Sequence, residues 1–359
     1  MSTKRRDFLK LAGLTSAAFL ADNFLGSNES SAHSLYAPHL TQKRFNMNGY
    51  AAPAMDKVRV GFIGLGMRGP THVSGMSHIE GVEIVGLCDI RPEKAEAALA
   101  LLKNTQHKPQ LYSGSADAWK KMCDRKDIDL IVISTPWDLH TPQAVYAMKA
   151  GKHVAIEVPA AKTVKECWDL VLTSETTKKH CMMLENCCYD FFELLTLNMA
   201  RDGYFGELLH AEGAYLHDLL GLNFDKNGYY DMWRLKENFR NGNLYPTHGL
   251  GPVCQALNEN RGDRMAFMSS TSSDDFSMAK KAEELAKTDP FFKPFAGKKY
   301  RGNMNITNIR TEKGKTITIY HDVSSERPYS RIHQLTGTVA TCLKYPAPER
   351  ISKGEGWVN

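Results

Sequence analysis

Hydrophobic and polar positions fall into two regimes along this chain. Between residues 57 and 184, short apolar runs alternate with amphipathic stretches. Lys57-Val-Arg-Val-Gly-Phe-Ile63, residues 82–88, Asp129-Leu-Ile-Val-Ile-Ser134, His153-Val-Ala-Ile-Glu157 and His180-Cys-Met-Met-Leu184 read as strands. Near-continuous apolar runs suit strands covered on both faces, as in a parallel sheet. Helices are predicted between them, one over 142–150 stopped by Gly151 and one over about 164–179. This is the rhythm of a doubly wound α/β domain. Beyond Asn186 the pattern changes. Runs at 208–216, 304–310, 315–321 and 331–340 predict a second sheet, while 269–301 reads as loop with one charged helix around 279–287.

The turn after the first strand is Gly64-Leu-Gly66-Met-Arg-Gly69. In a Gly-x-Gly-x-x-Gly turn the first glycine permits the tight bend, the second lets backbone approach a pyrophosphate, and the third lets helix pack on strand. Asp89 closes the second strand, where a carboxylate accepts from a ribose 2′-hydroxyl and repels a 2′-phosphate; NAD is therefore expected rather than NADP. Arg68 is a candidate phosphate contact. Ligands bind beyond the carboxyl ends of such strands, which puts the 137–140 loop, Glu157, Val158 and Asn186 beside the cofactor.

The chain has 359 residues, 42% of them hydrophobic and 24% charged, with a net charge of +5. That is the make-up of a globular protein and excludes general disorder and a polytopic membrane protein. No dense basic block stands outside the N-terminus, so no nucleic acid partner is expected. Eight cysteines without a Cys-x-x-Cys pair read as buried free thiols. His217-Asp218 and His321-Asp322 lack a converging third ligand and read as solvated or sheet-edge pairs, so no metal is expected.

Lys4-Arg-Arg-Asp-Phe-Leu-Lys10 with the apolar run behind it resembles a bacterial twin-arginine export signal. The expected plan is a signal peptide over 1–32, a linker over 33–55, a dinucleotide-binding domain over 56–186 and a substrate domain over 187–359. The partner implied at the N-terminus is the twin-arginine export machinery, and the expected location is the periplasm.

The glycines, the Thr135-Pro136 pair and Glu157-Val158-Pro159 resemble the glucose-fructose oxidoreductase, inositol dehydrogenase and MocA superfamily. Ordinary dehydrogenases of that group carry a lysine where Val158 stands. Trp137-x-x-His140, Glu185-Asn186-Cys187, Trp233-Arg234 and Tyr245-Pro-Thr-His248 narrow the resemblance to glycoside hydrolase family 109, which contains NAD-dependent α-N-acetylgalactosaminidases. The resemblance implies an N-terminal Rossmann domain and a C-terminal α+β domain with an open, mostly antiparallel sheet. It also implies that relatives continue beyond residue 359, leaving the substrate domain C-terminally incomplete, and that the open sheet face supports a homo-oligomer.

By the same resemblance, NAD meets Gly64, Gly66, Met67, Arg68, Gly69, Asp89, Trp137, Asp138, Leu139, His140, Glu157, Val158 and Asn186. Substrate meets Tyr215, Arg234, Tyr245, Pro246, Thr247, His248 and Tyr329. The implied reaction oxidises carbon 3 of the sugar, eliminates the aglycone, adds water and reduces carbon 3 again, with no net redox change. His248 is the first candidate for proton transfer and Tyr245 the second. Two other readings use the same residues: a periplasmic NAD-dependent sugar dehydrogenase, and a non-catalytic sugar-binding protein.

Overall fold

In the computed structural model, which describes residues 45–358, two sheets divide the chain. The first is six-stranded in the order β3-β2-β1-β4-β5-β6: Gln110–Tyr112, Val82–Cys88, Val58–Ile63, Leu130–Ile133, His153–Ile156 and Cys181–Met183. Every pairing in it is parallel. Its apolar runs are buried on both faces. One face packs Ile63, Ile131 and Ile133 on Met122 and Met148, and the other packs Val60, Phe62 and Val132 on Val73, Ala95 and Leu102. The doubly wound domain is as expected, with β3 as a strand the pattern missed.

The helix Val164–Thr177 begins at a capping box, Thr163 Oγ1 accepting from the Glu166 amide while the Glu166 carboxylate accepts from the Thr163 amide. The helix expected over 142–150 starts earlier, at Trp137, so the expected 137–140 loop is its first turn. Pro142 misled the sequence reading. It lies inside the helix, where it has no N–H to donate one turn back.

The second sheet is seven-stranded, β13-β12-β11-β7-β10-β9-β8, built from Arg350–Ser352, Thr341–Leu343, His333–Gly337, Leu208–Leu216, Thr316–Asp322, Asn305–Thr311 and Met265–Ser272. All its pairings are antiparallel except β7 with β10. It is thus the mostly antiparallel sheet expected. Strand β8 corrects the sequence reading, which took 269–301 as loop outside one helix. Its exposed Phe267 and Met268 gave no buried alternation to recognise.

One face of this sheet packs on the helices Phe191–Arg201 and Thr247–Leu257. The second of these crosses β7 with no side chain between: a Cβ on Gly213 would lie 2.4 Å from the Gly249 carbonyl oxygen, and one on Gly249 would lie 2.4 Å from the Ala214 nitrogen. Residues 47–55, expected as linker, have no regular structure, yet the Tyr50 ring lies 5.2 Å from that of His180 and the Ala52 amide donates to its Nε2. The expected export leader and the first part of the expected linker lie outside the described residues. Among the described residues no helix is long and apolar enough to cross a membrane. The eight cysteines are free, and five are buried; Cys167 is exposed, unlike the buried thiols expected.

Candidate active site

The carboxyl ends of β1, β2, β4 and β5 and the inner face of the second domain enclose a cleft of about 670 Å³. One wall is the glycine-rich turn. Gly64 has φ +88°, and a Cβ there would strike the backbone of Ser134 and Thr135 at 2.7 Å. Gly69 leaves no room either, its absent Cβ falling 2.1 Å from the Gly64 oxygen. Gly66 differs. Only an Arg91 guanidinium nitrogen at 3.7 Å would meet its Cβ, so its bare face opens onto the cleft rather than onto protein. That is a cradle fitted to the close approach of a pyrophosphate. The buried Ser134 hydroxyl, which lines the same wall, has no protein partner. The residues present fit a nicotinamide dinucleotide.

Asp89 is 7% exposed and lines the cleft, its carboxylate accepting from the Leu65 amide at 2.7 Å and the Arg91 amide at 3.0 Å. It thereby ties the second strand to the turn. Arg68, expected on phosphate, sits 3.2 Å from the Glu157 carboxylate, which also takes His72 Nε2 at 2.7 Å. Burial works against the ionised form of Glu157, but the His72 hydrogen bond and charge, the Val158 amide and Arg68 outweigh it and hold the carboxyl below its ordinary value. His140 lines the cleft with both ring nitrogens on carbonyls, of Pro159 and Thr135. Burial lowers its pKa. Met67, Trp137, Leu139, Val158 and Asn186 also line the cleft, whereas Gly69 and Asp138 do not; Asp138 instead pairs with Lys162.

The opposite wall is aromatic and cationic. Trp137 stacks on Tyr245 at 5.2 Å and 10°, Tyr245 meets His248 edge-on at 4.7 Å, and Tyr215 lies 5.0 Å from Tyr245 and 5.1 Å from His248. The Arg234 guanidinium sits over Trp137, Tyr229 and Tyr245 at 5.2–5.4 Å. It makes no pair with Glu237, whose carboxylate is taken by Lys162 and Arg240. Burial raises the Tyr215 and Tyr245 hydroxyls above their ordinary pKa, with Arg234 offsetting part of the effect, so both remain proton donors at neutral pH.

The structure therefore brings Tyr215, Arg234, Tyr245 and His248 together at one wall. Pro246, Thr247 and Tyr329 do not line it, although Tyr329 lies edge-on to His217 at 4.9 Å. Val158 is packed among Trp137, Tyr215 and Tyr245, so the position that bears lysine in the resembling dehydrogenases is apolar here.

Several lining residues were missed from sequence. His217, read as part of a solvated pair, lines the cleft with Nδ1 3.2 Å from the Tyr215 hydroxyl. Its neighbour in that reading, His321-Asp322, is buried rather than solvated because β10 is an interior strand. Burial, with Arg301, Arg234 and His248 nearby, puts His321 well below the ordinary imidazole pKa. Arg331 also enters the cleft, its guanidinium 5.8 Å from the Tyr215 ring centre and against the Cys187 thiol. Glu185 follows β6 and accepts from His248 Nδ1 at 2.6 Å. Its position after a parallel strand was a usable signal; Arg331, in a loop before β11, gave none.

Two family models match the chain. "Oxidoreductase family, NAD-binding Rossmann fold" covers residues 58–185, and "Glycosyl hydrolase 109, C-terminal domain" covers 189–352. A "Glycosyl hydrolase family 109 protein 1" of Phocaeicola vulgatus is 53% identical over 297 residues, 82% of this chain and 61% of that protein. An "Alpha-N-acetylgalactosaminidase" of Bacteroides fragilis is 50% identical over 314 residues, 86% of this chain and 73% of that protein. The chain thus spans about three fifths to three quarters of these relatives' lengths. Among solved structures, a levoglucosan dehydrogenase in complex with NADH matches with TM-score 0.63 at 18% identity, covering 84% of this chain and 79% of that one. An aldose-aldose oxidoreductase from Caulobacter crescentus complexed with glycerol matches with TM-score 0.63 at 17% identity, covering 84% and 82%. At such identities the shared property is the fold.

Proposed function

This chain belongs to glycosyl hydrolase family 109, and on that premise we propose that it removes terminal α-linked N-acetylgalactosamine from glycans with bound NAD and no net redox change. The observation that carries the reading is the pairing of a dinucleotide cradle with an aromatic, cationic wall that has Val158 in place of a dehydrogenase lysine. The Bacteroides fragilis relative, named an α-N-acetylgalactosaminidase, supports the sugar and the linkage.

Gly64, Gly66, Met67 and Arg68 would hold the pyrophosphate, Asp89 the adenosine ribose, and Trp137, Glu157, Val158 and Asn186 the nicotinamide half. Bound there, the dinucleotide supplies reversible two-electron oxidation at a sugar carbon. Tyr215 and Tyr245 donate hydrogen bonds to sugar hydroxyls, since burial keeps both protonated. Arg234 lies over three rings with one donor at the Tyr215 hydroxyl, and no carboxylate claims the rest, which are offered to the sugar. His248 Nε2 has no protein partner within the described residues and is the group that moves a proton at the carbon beside the oxidised one. The leader supports export of the folded, loaded protein to the periplasm by the twin-arginine route.

The test is release of p-nitrophenol from its α-N-acetylgalactosaminide, with nicotinamide absorbance followed in the same cuvette. Release by protein carrying NAD, with no accumulation of NADH, is expected. Stoichiometric NADH from free sugar without glycoside cleavage would replace this reading with a sugar dehydrogenase.

A further inference from the structure

The proton-transfer imidazole is not held by its own helix. His248 is the second residue of Thr247–Leu257, and its Nδ1 is 2.6 Å from Glu185 Oε1, on the loop that leaves β6 of the other sheet. Both side chains are buried. A second feature shows that the approach is built in: a Cβ on Gly251, one turn along the helix, would lie 3.0 Å from Glu185 Cγ and 3.0 Å from Cys188 Sγ. A methyl group there would crowd the stem of this carboxylate and the Cys188 thiol, so glycine gives the helix its close approach without displacing either.

We propose that Glu185 is the positioning residue of the reaction: it takes the Nδ1–H of His248, fixes the tautomer whose Nε2 lone pair faces the cleft, and balances the charge when Nε2 takes a proton. The inference rests on the glycosidase reading above. When Nε2 removes the proton from sugar carbon 2, the C–H electron pair stays with the carbon and is drawn into the carbonyl at carbon 3. The positive charge then on the ring lies against a carboxylate from which solvent is excluded, where the interaction is strongest.

The other groups facing this pair do not replace Glu185. Cys187 Sγ is 3.5 Å from the same Nδ1, and its amide donates to Glu185 Oε1 at 3.0 Å. Tyr215 and Tyr245 meet the imidazole by ring faces and edges. Glu185, Cys187 and His248 also offer three donor atoms within 4.8 Å of one another, the spacing of a metal site. The Arg331 guanidinium lies on the Cys187 thiol, however, so a cation there would meet a like charge. The cluster is arranged for a proton.

A purely structural Glu185 would only cap the short helix Asn186–Tyr189 through the Cys187 amide, a task that a glutamine carbonyl performs equally well. Glu185→Gln therefore separates the two roles. Expected are a fall of about 100-fold in kcat with KM within about threefold, in line with the usual size of general acid–base effects, and unchanged bound NAD. Glu185→Asp, which keeps the charge, recovers part of the loss. Nitrogen NMR of 15N-histidine protein gives an independent readout. The resonance missing from His248→Gln protein should show a protonated Nδ1 and a bare Nε2 in the wild type, and lose that pattern in Glu185→Leu. Undiminished kcat in Glu185→Gln, or a wild-type His248 protonated at Nε2 alone, overturns the proposal. A wild type that cleaves no glycoside overturns the reading beneath it instead, while the NMR pattern still reports on the pair.

Discussion

The two walls of the cleft are made of opposite materials. The cofactor wall is backbone: Gly64 and Gly69 fold the turn against its neighbours, and Gly66 leaves a bare face toward the ligand. The wall proposed to meet substrate is bulk: Trp137, Tyr215, Tyr245 and His248 in ring contact, with Arg234 laid over them. A dinucleotide is gripped by amide groups that side chains would keep away, whereas a sugar offers hydroxyls and an apolar ring face that only side chains can reach. One wall fails when an atom is added, and the other fails when atoms are removed.

That contrast can be broken in order of expected effect. Gly66→Val adds atoms only on the cleft side, so bound NAD and activity should both vanish while the thermal midpoint stays within a few degrees; nucleotide released on denaturation and a melting curve check this. His248→Gln removes the imidazole proposed as proton acceptor on the other wall and should lower kcat by about 1,000-fold, with NAD content unchanged. Loss of NAD from that variant would show that the walls are not independent. Gly249→Ala pushes a methyl group toward the Ala214 nitrogen and should cost about 1–3 kcal/mol, read from the urea midpoint.

Glu157→Gln probes the seam between the walls. The fold holds the Glu157 carboxyl below its ordinary value, so its ionised form stabilises the protein above the unfolded pKa of about 4.3. That contribution is lost as pH falls through the lower folded value. The gap in thermal midpoint between wild type and variant should therefore be largest near neutrality and close in acid. Asp138→Asn is the smallest case. Asp138 does not line the cleft and its carboxylate is largely exposed beside Lys162, so activity and NAD retention should stay within about twofold.

The first domain was legible because its information is contiguous. Apolar runs marked β1, β2, β4, β5 and β6, and the glycine motif sat directly behind β1. In the second domain β7 was read to the residue, since apolar residues recur through 208–216 around His210 and Glu212, but β8 was lost because both of its faces are exposed. On the substrate wall Tyr245 and His248 share one short block, and Tyr215 and Arg234 came with the family resemblance. Glu185, His217 and Arg331 join the site through pairings across 63, 2 and 144 residues, with His248, Tyr215 and Cys187 respectively. His217 was visible and was given the wrong surroundings. Glu185 was marked only by its place after a parallel strand, and nothing in a linear pattern brings Arg331 to Cys187.

The bare crossing of Gly213 and Gly249 bears on any attempt to redesign this pocket for another ligand. The strand that carries Tyr215 and the helix that carries His248 touch backbone to backbone, with no compressible side chain to act as a spacer. The gauge between those two groups is set by the main chain. New specificity has to be sought at the tips, in Tyr245, Arg234 or Arg331, because trimming residues beneath the helix cannot bring the frame any closer.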